Sequence, residues 1–111
     1  MFFGLAAIVL FSACGTAQKS AKYDDFAECV TDSGAVFYGT LWCPHCKKQK
    51  TLFGDAISKI NFVDCDAEKD LCRQKGITSY PTWIFGDGSR RSGTQSLENI
   101  AKKTNCPLPK K

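Results

Sequence analysis

The chain alternates between apolar clusters and polar breaks that lay out a series of short elements. Its first thirteen residues, MFFGLAAIVLFSA, are uncharged and almost wholly apolar, and a polar stretch, GTAQKSAK, follows at 15–22. From Tyr23 to Ser33, Phe26, Cys29 and Val30 recur at i, i+3 and i+4, which predicts a short helix stopped by Gly34. The apolar run Ala35–Gly39 suits a buried central strand. A helix is expected from Cys43 to Ala56 or Ile57, polar at Lys47, Lys48 and Lys50 and apolar at Leu52, Phe53 and Ile57. Pro44 fits its first turn, and Gly54 weakens its last. Ile60–Cys65 reads as the next strand, and Asp66 as the cap of a helix from Ala67 to Lys75 that ends at Gly76. Tyr80-Pro81 introduces a strand Thr82–Phe85. The turn Gly86-Asp87-Gly88-Ser89 then sends the chain back through Arg90, Arg91 and Ser92. Ser96 is expected to cap a last helix, Leu97–Thr104, with Glu98 in its first turn.

After the first helix the order is β-α-β-α-β-β-α. A βαβ unit requires parallel strands and the hairpin adds an antiparallel pair, so the expected architecture is α/β, a central mixed sheet flanked by helices. With 111 residues there is room for one small domain, and 43% hydrophobic and 12% aromatic residues suffice for its core. The net charge of +4 comes from scattered basic residues, with pairs at Lys47-Lys48, Arg90-Arg91, Lys102-Lys103 and Lys110-Lys111. That pattern is solvated surface, not a nucleic-acid stripe.

An apolar start of this length makes roughly 18 Å of helix, short of a ~30 Å hydrocarbon core. It fits the hydrophobic region of a signal peptide over residues 1–13. The string Phe11-Ser12-Ala13-Cys14-Gly15 resembles the lipobox of bacterial lipoproteins, which implies that Cys14 is acylated and becomes the mature N-terminus. Phe11 stands where leucine is usual, and no Lys or Arg precedes the apolar run. A buried first helix or an ordinary cleaved signal is the alternative. On the lipoprotein reading, 14–22 is a tether, 23–111 is the folded domain, and the protein sits in the bacterial cell envelope, outside the cytoplasm, anchored by lipid to a membrane.

The chain has seven cysteines. Giving Cys14 to the lipid leaves six, Cys29, Cys43, Cys46, Cys65, Cys72 and Cys106, which outside the cytosol suggest disulfides and allow fifteen pairings. Cys43-Pro44-His45-Cys46 stands out because it falls where a strand passes into a helix. That spacing puts both sulfurs within bonding reach, and the free N–H groups and positive dipole end of the helix favour a thiolate. A static disulfide is the bland reading of the pair. Zinc fits poorly: the later pair has six residues between its cysteines and the one histidine lies inside the CxxC. No metal and no cofactor are expected.

Trp42-Cys43-Pro44-His45-Cys46-Lys47 resembles the thioredoxin-superfamily site, and Tyr80-Pro81-Thr82 falls where that superfamily has its cis-proline. The resemblance implies the thioredoxin fold over roughly residues 23–106. The longer string, adding Cys65-Asp66, Cys72, Gly76-Ile77, Trp83 and Ser96-Leu97-Glu98, is similar to the thioredoxin-like domain that works with bacterial vitamin K epoxide reductase homologues. That resemblance implies a separate membrane partner of this kind, which reoxidises the domain and passes electrons to a quinone. It also implies that Cys43 is an exposed attacking thiol and Cys46 the buried resolving one. Pro81 would be cis, offering its own and Tyr80's backbone to an extended substrate. Trp42 and Tyr80 would line a shallow substrate surface, while Trp83 belongs to the core.

Pro44 stiffens the active-site loop and His45 adds a donor and partial positive charge near Cys43. A stabilised thiolate favours the reduced form and hence an oxidising couple. The same Pro-His pair occurs in DsbA-like oxidants, whose potential is about −120 mV against about −270 mV for thioredoxin, a gap of roughly 7 kcal/mol. Phe37 replaces the buried acid that such proteins carry six residues before the first cysteine, so a water or a lysine such as Lys47 would have to serve Cys46. Cys65 ends a strand and Cys72 lies in the next helix, where a local disulfide would staple the crossover. Cys29 and Cys106 would then tie the ends, and a second redox relay through Cys65 and Cys72 is the alternative. The expected function is an envelope thiol–disulfide oxidoreductase donating the Cys43–Cys46 disulfide to cysteine-containing exported proteins. Its rivals are a reductase or isomerase of the same fold and a redox-silent binding module.

Overall fold

The computed structural model describes residues 22–110. The signal-peptide reading of 1–13, Cys14, and the tether up to residue 21 therefore lie outside the described residues. Helix α1 (Asp24–Asp32) precedes strand β1 (Val36–Gly39). Helix α2 (Pro44–Phe53) follows, then β2 (Phe62–Asp64), α3 (Lys69–Gln74), the hairpin β3 (Thr82–Ile84) and β4 (Arg90–Ser92), and α4 (Leu97–Thr104). The sheet runs β2-β1-β3-β4. β1 pairs with β2 in parallel, while β1–β3 and β3–β4 are antiparallel. This is the mixed sheet of a thioredoxin fold.

Alternation along β1 explains why an apolar run makes the central strand. Phe37, paired with Trp83 across β1 and β3, packs with Phe26, Val30, Phe53, Phe85 and Ile100 into the main core. Its neighbour Tyr38 points into a smaller cluster with Cys65 and Cys72, against which Val36 and Ile84 pack. Both faces of the strand are thus covered, as a strand without polar alternation requires.

The strands expected at Ile60–Cys65 and Thr82–Phe85 are trimmed to Phe62–Asp64 and Thr82–Ile84, and two helix boundaries differ from the sequence expectation. The helix after CPHC stops at Phe53 and gives way to a six-residue 3-10 segment, Gly54–Lys59. Gly54 adopts φ +61°, a left-handed conformation that ends α geometry at low cost only for glycine. Helix α3 begins at Lys69 with Glu68 before it, so Asp66 does not cap it. Asp66 instead turns its carboxylate to Trp42, whose indole Nε1–H donates to Oδ2 at 2.7 Å. Ser96 does cap α4, its Oγ accepting the Asn99 N–H at 3.1 Å.

Candidate active site

β1 delivers the chain to the edge of the core at Gly39, and the following loop places Cys43 as the N-cap of α2 with Pro44 in its first turn. Cys43 Sγ accepts the Cys46 backbone N–H at 3.4 Å and donates its own proton toward the Tyr80 carbonyl at 3.6 Å. Both cysteines are free thiols. Cys46 is fully buried, and Cys43, expected to be exposed, is only 5 % accessible. The reason is local packing: Cys43 joins the main core cluster, with Tyr80 packed against that cluster and its carbonyl on the sulfur.

The two thiols are driven apart electrostatically. For Cys43, burial pushes the pKa up, but the Cys46 N–H, the Cys46 thiol and the His45 N–H outweigh it and hold the thiol below its ordinary value. For Cys46, burial dominates; the Thr40 backbone pulls the other way, Cys43 adds to the rise, and the thiol is pushed up to about 11. His45 thus acts on Cys43 through its backbone, while its carbonyl accepts the Thr94 hydroxyl at 3.0 Å. The lysine acting on Cys46 is Lys50 rather than Lys47, which is exposed.

The Tyr80–Pro81 bond is cis, and Pro81 is fully buried. Its carbonyl already accepts the Gly93 N–H at 2.8 Å, so the residue just after β4 occupies part of the backbone edge assigned to a substrate. Trp42, 60 % exposed, and Leu41 are the exposed large hydrophobic residues beside Cys43, and the Trp42 ring meets Tyr80 edge-on at 6.3 Å. Trp83 lies in the core, stacked on Phe37 at 5.1 Å. Disulfides join Cys29 to Cys106 and Cys65 to Cys72.

The supporting roles of three residues were not foreseen from the sequence. Gln49 is fully buried; its Oε1 accepts from Trp83 Nε1 at 3.0 Å and Gln95 N at 2.7 Å, and its Nε2 donates to Gln95 O at 2.9 Å. It lies three residues after Cys46 and four before Phe53, a position on the buried stripe of α2 that was the available signal. Asp66 anchors Trp42, as above. Gly39 is the third: a Cβ there would come 2.6 Å from Cys46 Sγ, so only glycine lets the sulfur lie against β1. Chemically, the site offers a stabilised thiolate at the helix start, itself almost covered, and a fully buried thiol one turn behind it, the two partners that thiol–disulfide exchange needs.

A central strand leading to a helix-start dithiol, faced by a cis-proline loop, defines a thioredoxin-type redox domain. The thioredoxin family model matches residues 17–105, and the chain belongs to the thioredoxin family. It is 35% identical over 91 residues to the thiol-disulfide oxidoreductase LTO1 of Arabidopsis thaliana, covering 74% of this chain and 24% of that protein. It is also 35% identical over 86 residues to a protein disulfide-isomerase of Humicola insolens, covering 70% and 17%. The chain therefore spans a quarter or less of the length of these two relatives. Among solved structures, oxidized mitochondrial thioredoxin 3 of Saccharomyces cerevisiae matches with a TM-score of 0.50 at 21% identity, over 72% of this chain and 85% of that one, a likeness of fold.

Proposed function

We propose that this protein is an envelope thiol–disulfide oxidoreductase that donates its Cys43–Cys46 disulfide to cysteine-containing exported proteins. The observation that carries the reading is the geometry of Cys43, whose sulfur caps α2 and accepts the Cys46 N–H at 3.4 Å, an arrangement that holds the thiol below its ordinary value. Whatever stabilises the thiolate stabilises the reduced pair, and a stable reduced pair makes an oxidising couple. A substrate thiolate attacks Cys43, Cys46 leaves, and a second substrate thiolate then displaces Cys43, so two electrons pass to the pair. Trp42 and Tyr80 form the apolar lip on which the substrate rests. Cys29–Cys106 and Cys65–Cys72 act as staples, and four oxidised cysteines support residence outside a reducing cytosol. Lipidation at Cys14 and reoxidation by a quinone-linked, vitamin K epoxide reductase-like membrane partner complete the proposal. Among the described residues no helix is long and apolar enough to cross a membrane.

Two measurements test it. A Cys46→Ala variant should accumulate mixed disulfides between Cys43 and exported proteins; none forming would favour a redox-silent binding module. Equilibration of the pair with glutathione should give a potential well above that of thioredoxin. A value near about −270 mV overturns the oxidative direction and favours a reductase.

A further inference from the structure

Cys46 must carry negative charge each time the pair opens or closes, yet its surroundings oppose it. It is fully buried, and the side chains that close round it are apolar: Gly39 of β1 leaves the gap in which its sulfur lies, and Phe62 of β2 borders that gap. Phe37 continues this wall, its ring 4.9 Å from that of Phe62. The titratable and charged groups acting on Cys46 come from its own helix and that helix's N-cap and number two, Cys43 and Lys50; Thr40, just after β1, contributes its backbone, and neither β1 nor β2 contributes a charge. Cys43 raises the cost of ionising Cys46, which leaves Lys50 as the cation that lowers it.

The geometry brings that cation to the right place. Lys50 follows Cys46 by four residues, one turn along the same face of α2. Its Nζ stands 4.1 Å over the centroid of the Phe62 ring, a cation–π contact that fixes a long and otherwise mobile side chain. Phe62 Cε2 lies 3.4 Å, and Cys46 Sγ 2.6 Å, from the point a Gly39 Cβ would occupy. The ring that carries the ammonium therefore borders the gap that holds the sulfur.

We propose that Lys50 is a positioning residue for the redox reaction, its ammonium held on Phe62 beside the Gly39 gap so as to stabilise the Cys46 thiolate. This rests on the thiol-exchange reading of the site. When a substrate thiolate attacks Cys43, the electron pair of the Cys43–Cys46 bond passes to Cys46, which departs as a thiolate under the Lys50 charge and then takes a proton from water. In the reverse step, Cys46 gives its proton to water, attacks Cys43 in the mixed disulfide and expels the substrate thiolate. Lys50 serves in both as a fixed charge, neither giving nor taking a proton.

The test uses the full chain carrying a Cys43–glutathione adduct, with Lys50→Met, Lys50→Gln and Lys50→Arg variants. Two quantities are read: the rate of glutathione release across a pH series, and the titration of a carbon-13 label on Cys46 Cβ. In Lys50→Met and Lys50→Gln the Cys46 midpoint should move up by about half to one pH unit, and release should slow by about three- to tenfold near neutral pH. Lys50→Arg should restore most of both. Alkylation of Cys43 in the reduced, adduct-free protein should be unchanged in all three. An unshifted midpoint and unchanged release in the two neutral variants overturn the role of Lys50. A wild-type protein that forms no glutathione adduct overturns the exchange reading itself, and this proposal with it.

Discussion

Cys43 and Cys46 sit one turn apart, and the protein pulls their protons in opposite directions. The consequence for pH has a definite sign. Cys46 in the fold titrates at about 11 against an ordinary value of 9.0, so its contribution to stability is full below 9.0 and fades as pH rises toward 11. Cys43 is lowered instead, so its contribution is present above the ordinary thiol value and is lost as pH falls through its folded value. With only the Cys43–Cys46 pair reduced, thermal melting across the alkaline window should therefore show a steeper decline for wild type than for Cys46→Ala. Parallel curves would contradict the assignment. At this scale the sequence was informative about identity and silent about surroundings. The CPHC string located the two thiols and the side of the fold they occupy. It said nothing of Gly39 making room for a sulfur, because that requirement exists only once β1 and α2 are packed together.

Between elements, the site is held by one loop. Residues 93–95 reach α2 through the Thr94–His45 and Gln95–Gln49 hydrogen bonds and reach the proline loop through Gly93 and Pro81. Gln49 is the centre of this clamp, fully buried with its amide spent on Gln95 and Trp83. Gln49→Leu would leave the Trp83 Nε1–H and the Gln95 backbone without partners, at a cost of about 2–3 kcal/mol. Urea denaturation should show this loss, and a variant as stable as wild type would show that the clamp carries no net energy. The elements themselves were largely legible, because periodicity, Gly34, Gly76 and the Ser96 cap are local signals. What was not legible was competition between local and distant partners. Asp66 occupies a good capping position by sequence, yet an indole donor 24 residues away takes its carboxylate.

For the molecule as a whole, two disulfides divide the work of stabilisation unequally. Cys29–Cys106 spans 77 residues, from α1 to just beyond α4, whereas Cys65–Cys72 spans 7. In the chain-entropy description the long loop stabilises by about 4.5 kcal/mol and the short one by about 2.5 kcal/mol. Replacing Cys29 and Cys106 together by serine should thus lower the unfolding free energy more than replacing Cys65 and Cys72, as measured by urea denaturation; the opposite order would point to a special role for the crossover staple. The two tryptophans give the fold a further property. Trp83 is sealed among Phe37, Phe53 and Phe85, while Trp42 stands in water, pinned by Asp66 next to Cys43. One indole emits from an apolar interior and the other from solvent, within reach of a soluble quencher such as iodide. The second is also the neighbour in sequence of the sulfur that reacts. The protein therefore carries an intrinsic optical probe of its own oxidation state, with an internal reference against which to read it.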